Sequence, residues 1–279
     1  MIFSDEEGEA LNINTRSLIL SKTCLLDYSA CWNLSSSWLQ IGEKACIPQN
    51  ALCRMSRDRV GYWCKKVWSM VSIILSVLAF GSAAAHIYAD RKGLRRYAYV
   101  FKPLTMVLLL LIAVFAAKEN ASVYGLAIIA GIVFSLVGDV ALMLPRKRIA
   151  IGMGAFLVAH VAYIISFSSG TSAITNAWLL FPFLVYALIM GWTVIPHAGK
   201  LKLPVGIYEI TIMVMAWRAL ERMLQTGGTG ATLAFAGALL FVISDSLWAC
   251  NFIIKRCKKA QALILVTYYL AQCLIVLSV

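Results

Sequence analysis

From about residue 67 the chain repeats one pattern. Apolar runs of about twenty residues are separated by short polar breaks, and neither strand-like alternation nor a one-sided helical stripe replaces it. Runs of that length cross the hydrocarbon of a bilayer as helices. Eight are predicted, at roughly 67–89, 97–116, 121–144, 149–168, 174–195, 203–224, 231–254 and 261–278. The breaks are short, so successive spans run antiparallel. The expected fold is an all-α polytopic integral membrane protein, a bundle of about eight transmembrane helices. Residues 1–60 lack any long apolar run and carry Asp5, Glu6, Glu7 and Glu9. They are expected to be a poorly ordered extension, with the natural start of the membrane domain near Met55 and the domain itself covering 67–279.

Composition agrees with this pattern. Of 279 residues 61% are hydrophobic and only 14% charged, against about half and a quarter in soluble domains. The net charge of +12 would suit nucleic acid in a soluble chain. Here the basic residues cluster in alternate breaks: Arg91, Lys92, Arg95 and Arg96 after span 1, Arg146, Lys147 and Arg148 after span 3, Lys200 and Lys202 after span 5, and Lys255, Arg256, Lys258 and Lys259 after span 7. That bias sets membrane orientation, placing these loops in the cytoplasm, and no nucleic-acid partner is expected. The basic residues ahead of span 1 argue the other way. A bacterial inner membrane and a eukaryotic endomembrane are both compatible. There is no CxxC or HxxxH pattern, so no zinc-type cluster is expected.

Two segments repeat. In "GIVFSLVGD" Gly131 precedes Asp139 by eight positions, and in "GALLFVISD" Gly237 precedes Asp245 by the same eight. They fall on spans 3 and 7, which run in the same direction, so a 4+4 parallel internal repeat is expected. At 1.5 Å per residue both aspartates lie about 10–15 Å from the same basic face. A charged residue inside a span costs at least about 2.5–3.5 kcal/mol and marks function by default. Other polar groups inside the spans are Lys102, His160 with Tyr163 three residues on, Tyr208, Glu209, Arg218, Ser244, Asn251, Tyr268, Tyr269 and Gln272. Several of these groups have a plain structural alternative: pairing with a lysine or arginine to lock helices for Asp139, Asp245 and Glu209, an interfacial anchor for Lys102 and Arg218, a packing histidine for His160, and belt tyrosines for Tyr268 and Tyr269.

The ordered set "GD" in span 3, "FLVAHVAY" (Phe156 to Tyr163), "YEITIMVMAWRA" (Tyr208 to Ala219), "SD" in span 7 and "TYYLAQ" in span 8 resembles the YhhN family, also called the lysoplasmalogenase or transmembrane protein 86-like family. The resemblance covers all eight spans in order. It implies hydrolysis of the vinyl ether bond of lysoplasmalogens, giving a fatty aldehyde and a glycerophospho head group. It implies a lysophospholipid substrate drawn from bilayer lipids, and no metal or organic cofactor. Such a reaction needs a proton donor for the β-carbon and a negative group beside the resulting oxocarbenium ion, roles that two carboxyl groups in unequal environments fill.

Asp139 and Asp245 are the expected pair. His160, Tyr163, Ser244 and Asn251 are expected to orient water or tune the pair. Gln272 lies in hydrocarbon and needs a partner. Lys102 or Arg218 would hold the phosphate, and Tyr208, Tyr268 or Tyr269 would face a choline. Glu209 has no place in this pattern. The competing readings are a proton-coupled carrier using the same aspartates, a zinc-dependent lipid hydrolase built on converging histidines, and a non-catalytic scaffold.

Overall fold

A computed structural model describes residues 49–119, 122–144, 149–171, 177–254 and 257–279. The expected extension, 1–60, lies mostly outside them. Its last residues, 49–60, are helical, so the first helix begins well ahead of the expected 67. Residues Trp68–Val279 form one compact unit.

Eight long helices carry it: α1 (Gln49–Lys92), α2 (Arg95–Glu119), α3 (Val123–Met143), α4 (Ile149–Ser168), α5 (Phe181–Val194), α6 (Lys202–Thr226), α7 (Gly228–Ala249) and α8 (Lys258–Leu277). Each contributes to a stretch long and apolar enough to cross a membrane, eight among the described residues, as predicted from the sequence. Backbone polar groups have no partner in hydrocarbon, so helices that bond internally are the stable form. The breaks between them use turn residues. Gly93 and Gly227 take positive φ, 70° and 63°, a conformation that costs glycine little. α3 starts at a serine cap, with Ser122 accepting a hydrogen bond from the Gly125 N–H.

The surface is inverted relative to a soluble protein. Large apolar side chains point outward along the spans, including Ile73, Val77, Leu188, Leu203 and Ile210, and Trp192 is 86% exposed. The buried interior is built from small and aromatic residues, with Ala159, Ala216, Ala238, Tyr163, Phe167 and Phe241 fully covered.

Two glycines explain the tightest approaches. A Cβ on Gly131 would sit 2.2 Å from the Tyr163 ring of α4, and one on Gly237 would sit 2.9 Å from the Ala271 carbonyl of α8. Small residues at such crossings let membrane helices pack closely. The paired glycines thus do one job twice: the third helix of each half is pressed onto the fourth. α5 is the exception to this packing. Only Val194 on it is buried, and it lies along the bundle's rim, closing one side of a cavity described below.

Candidate functional site

The two aspartates sit in matching surroundings. Asp139, on α3, receives Lys102 Nζ from α2 at 2.8 Å and the Tyr268 hydroxyl from α8 at 2.7 Å. Asp245, on α7, accepts a hydrogen bond from the Tyr208 hydroxyl of α6 and lies 3.7 Å from His160 Nε2 of α4. Shift the helix number by four and each partner of one aspartate finds its counterpart beside the other. The residue numbers agree. A shift of 106 carries Lys102 to Tyr208, Gly131 to Gly237 and Asp139 to Asp245, and a shift of 108 carries His160 to Tyr268. The four-helix units are thus parallel repeats, each aspartate being held by the preceding helix of its own half and the last helix of the other half.

The chemistry of the two centres differs. Asp139 is 2% exposed and its charge is met by an ammonium group. Around this pair the polar groups are mutually satisfied: Tyr269 shares a hydrogen bond of 2.8 Å with His86 Nδ1, and Thr105 donates to Ser82 at 2.9 Å. Asp245 is 18% exposed, and among the described residues no lysine or arginine is paired with it. It lines a cavity of about 490 Å³, counted with its open mouth, whose other polar walls are Tyr208, Glu209 and Ser246. Apolar walls come from Met153 of α4, Met190 and Val194 of α5, Val205 of α6 and Trp248 and Ile253 at the end of α7. Asp139 is absent from that lining.

An aromatic wall links the partners of the two carboxylates. Phe241 packs edge-on against both His160 and Tyr268, with ring centres 4.9 and 5.7 Å away, and Phe156 packs edge-on against Phe241 and Tyr268 at 6.4 and 6.0 Å. A Cβ on Gly138 would fall 2.6 Å from Phe156, so the glycine just ahead of Asp139 makes room for this wall. Asp139 and Asp245 are thus held by different partners, and of the two only Asp245 lines the cavity.

His160 is fully buried with both ring nitrogens lacking a hydrogen-bond partner. Its ring stands edge-on to Tyr208, 5.0 Å between centres. At 3.7 Å from Asp245 it lies beyond hydrogen-bond length, within reach of a small shift.

Several other candidates serve the scaffold. Tyr163 donates to Gln272 Oε1 at 2.7 Å, and Gln272 donates to Ser135 at 3.0 Å, which pins α4, α8 and α3 together. The partner that Gln272 requires is thus Tyr163 rather than substrate. Ser244 donates to the Ile264 carbonyl at 3.0 Å, tying α7 to α8. Asn251 sits in the wider π-type turn Cys250–Ile254 and accepts the Cys257 N–H at 2.6 Å, closing the connection into α8. Tyr269 is occupied by His86.

Arg218 lies elsewhere. It is ten residues beyond Tyr208 on α6, about 15 Å along the helix. It pairs there with Glu221 and donates to Ser168 at 2.9 Å and Thr171 at 2.8 Å, locking the end of α4. Of the two cations expected to hold a phosphate, Arg218 is remote and Lys102 is engaged by Asp139. Sequence reasoning underweighted Glu209, which does line the cavity. The signal available was its position next to Tyr208, one step around the helix. Among the described residues no group of three or more His, Cys, Asp or Glu is arranged to hold a metal ion.

Comparison with known proteins bears on what this arrangement does. The sequence pattern of the YhhN family matches residues 97–279. A protein of Escherichia coli O157:H7 named "Uncharacterized membrane protein YhhN" is 31% identical over 219 residues, covering 76% of this chain and 98% of its own length. Human "Lysoplasmalogenase TMEM86B" is 35% identical over 147 residues, 53% of this chain and 60% of its own. Human "Lysoplasmalogenase TMEM86A" is 32% identical over 157 residues, 54% of this chain and 64% of its own. No solved structure matches the chain.

Proposed function

Because the chain belongs to the YhhN family, and its relatives include proteins named lysoplasmalogenase, we propose that it is an intramembrane hydrolase that cleaves the vinyl ether bond of lysoplasmalogens. The observation that carries this reading is Asp245: a carboxyl group on an apolar cavity inside the bilayer span, hydrogen-bonded by Tyr208, with a buried histidine beside it.

The chemistry runs as a hydration followed by a fragmentation. The carboxyl proton of Asp245 passes to the β-carbon of the alkenyl chain, and the C=C electrons form the new C–H bond. The carbon bonded to the ether oxygen becomes an oxocarbenium centre. Water adds there and gives a proton to the Asp245 carboxylate, forming a hemiacetal. Its C–O bond to glycerol then breaks, the departing glycerol oxygen takes that proton, and the hemiacetal hydroxyl returns its own proton to the carboxylate. One water is consumed, and a fatty aldehyde and a glycerophospho head group leave. General acid catalysis of this type contributes about 10²–10⁴-fold.

Tyr208 aims the Asp245 carboxyl, and His160 offers a ring nitrogen toward the same oxygen. Asp139 is a positioning residue. It holds Tyr268, which packs on Phe241, and Phe241 in turn packs on His160 beside Asp245. The chain lies along the apolar walls given by Met190 and Val194 of α5 and by Trp248 and Ile253 at the end of α7. Lipid head and phosphate remain toward the basic face.

The test is direct. Purified protein is given an alkenyl lysophosphoethanolamine and an alkenyl lysophosphocholine, and the aldehyde is trapped and measured. Wild type is expected to release aldehyde, and Asp245→Asn to lose that activity while keeping its elution profile in detergent. Absence of aldehyde from wild type with both substrates would sink the reading.

A further inference from the structure

Glu209 stands outside the pairing of the two halves. Under the shift that carries Lys102 to Tyr208, its counterpart is Pro103, so the first half has no acid at this place. It lines the cavity. Its Oε1 atom is buried without a hydrogen-bond partner, and its Oε2 lies beside α5, 3.5 Å from where a Cβ on Gly191 would stand. The proton transfers at Asp245 do not use it. A buried carboxyl oxygen without a partner is costly, and on a cavity wall a ligand that donates to it removes that cost.

Glu209 and Asp245 lie at different depths. The cavity sits where α4 and α6 begin and α5 and α7 end, the end of the bundle that carries the basic breaks. Met153 and Val205 are near the starts of their helices, Val194 closes α5, and Ile253 is in the turn after α7. Glu209 is seven residues past Lys202, where α6 begins, about 10 Å along the helix. Asp245 is nine residues ahead of Ile254, where the turn after α7 ends, about 13 Å along. Helical side chains lean toward the N-terminus of their own helix. α6 runs away from the basic face and α7 runs toward it, so Glu209 leans toward that face and Asp245 away from it. Gly191, beside which Glu209 rests, is on the last turn of α5. In depth Glu209 therefore falls between Asp245 and the exposed Lys200 and Lys202.

A lysoplasmalogen whose vinyl ether meets Asp245 extends its glycerol, phosphate and head group toward the basic face. Among the described residues no lysine or arginine lines the cavity. The wall thus offers a carboxylate to an ammonium group, and the lysines at the start of α6 offer a partner to the phosphate. A primary ammonium brings three N–H donors. A trimethylammonium brings none and is held on aromatic faces. The aromatic rings described on the cavity wall are Tyr208 and Trp248, and each already faces another ring, His160 and Phe252 respectively. From this geometry we infer that Glu209 selects the head group: its carboxylate accepts a hydrogen bond from the primary ammonium of an ethanolamine lysolipid, so the protein prefers ethanolamine over choline substrates. The inference rests on the hydrolase reading and adds the head-group class to it, leaving the chemistry at the aspartates as it stands.

The experiment measures aldehyde release by wild type and Glu209→Gln from three substrates that share one alkenyl chain and differ in the head: phosphoethanolamine, phosphocholine and bare phosphate. In wild type the KM for the ethanolamine substrate is expected to be about tenfold below that for choline. Glu209→Gln is expected to raise the ethanolamine KM by about 10–100-fold, the loss of one hydrogen bond to a charged group, with a far smaller change in kcat and in the KM for the bare phosphate. A purely structural role would move all three substrates alike. The wild-type preference keeps the test decisive if the variant does not fold. Equal KM values for ethanolamine and choline in wild type would overturn the inference and leave the hydrolase reading standing. So would a folded Glu209→Gln whose ethanolamine KM is unmoved, or whose kcat falls equally on all three substrates. No aldehyde from wild type with any of the three would overturn the hydrolase reading and this inference together.

Discussion

Asp139 and Asp245 occupy equivalent places in two parallel four-helix repeats, yet one meets a lysine and the other a tyrosine. The first centre is closed: an ion pair, 2% exposed on the acid side, surrounded by satisfied hydrogen bonds. The second is open: a cavity with a second carboxyl group on its wall, and no lysine or arginine among the described residues that line it. Each half carries a carboxyl group on its third helix, and the residue facing it from the preceding helix differs, Lys102 in one half and Tyr208 in the other. Lysine neutralises the acid and turns it into a brace between α2, α3 and α8. Tyrosine hydrogen-bonds it without supplying charge and leaves it available to a ligand. An intramembrane acid is expensive in either setting, and the halves offset that expense differently.

The comparison breaks most visibly at the open centre. Asp245→Asn is expected to lower aldehyde release by about 10²–10⁴-fold with thermal stability near wild type. A variant that retains wild-type turnover would show that the open centre is not the reacting one.

At the closed centre the large effect should be on stability. Asp139→Asn leaves the Lys102 ammonium buried without its counter-charge, a loss of about 3–5 kcal/mol, measured as a drop in the unfolding midpoint in detergent. Adding Lys102→Met to it should recover much of that stability, since the pair is then replaced by neutral groups. If the double variant refolds to wild-type stability and yet loses as much turnover as Asp245→Asn, Asp139 takes part in the chemistry and the contrast between the halves fails.

Tyr208→Phe sharpens the contrast. It removes one hydrogen bond to a carboxyl group, about 1.5–3 kcal/mol, so kcat should fall by roughly 10–100-fold. Smallest of all, Ser244→Ala removes a single bond between α7 and α8. It is expected to lower stability by about 1 kcal/mol with little change in kcat, although Ser244 adjoins Asp245 in sequence.

Much of this was legible before any tertiary structure. Hydrocarbon admits only internally bonded backbone, so eight apolar runs had to become eight helices, and residue counting within them placed both aspartates at one depth. The Gly-to-Asp spacing announced the repeat, because a glycine that lets two helices touch and an acid two turns later are both tied to helix periodicity. What linear sequence leaves open is which side chains from distant helices converge. Tyr163 and Gln272 look like site residues by polarity and are a clamp. Arg218 looks like a phosphate anchor and is spent on Glu221, Ser168 and Thr171. Glu209 looked incidental and stands on the cavity.

Helix period determines the face on which a residue lies relative to its own helix. Only packing determines which neighbour that face meets, and for a polar group in hydrocarbon the neighbour decides everything, because no solvent is there to substitute for it. The sequence by itself thus determined the spans, the repeat and the depth of the acids. The tertiary structure alone decided that Asp139 is closed by Lys102 and that Asp245 opens onto a cavity, since that distinction depends on contacts between helices far apart in the chain.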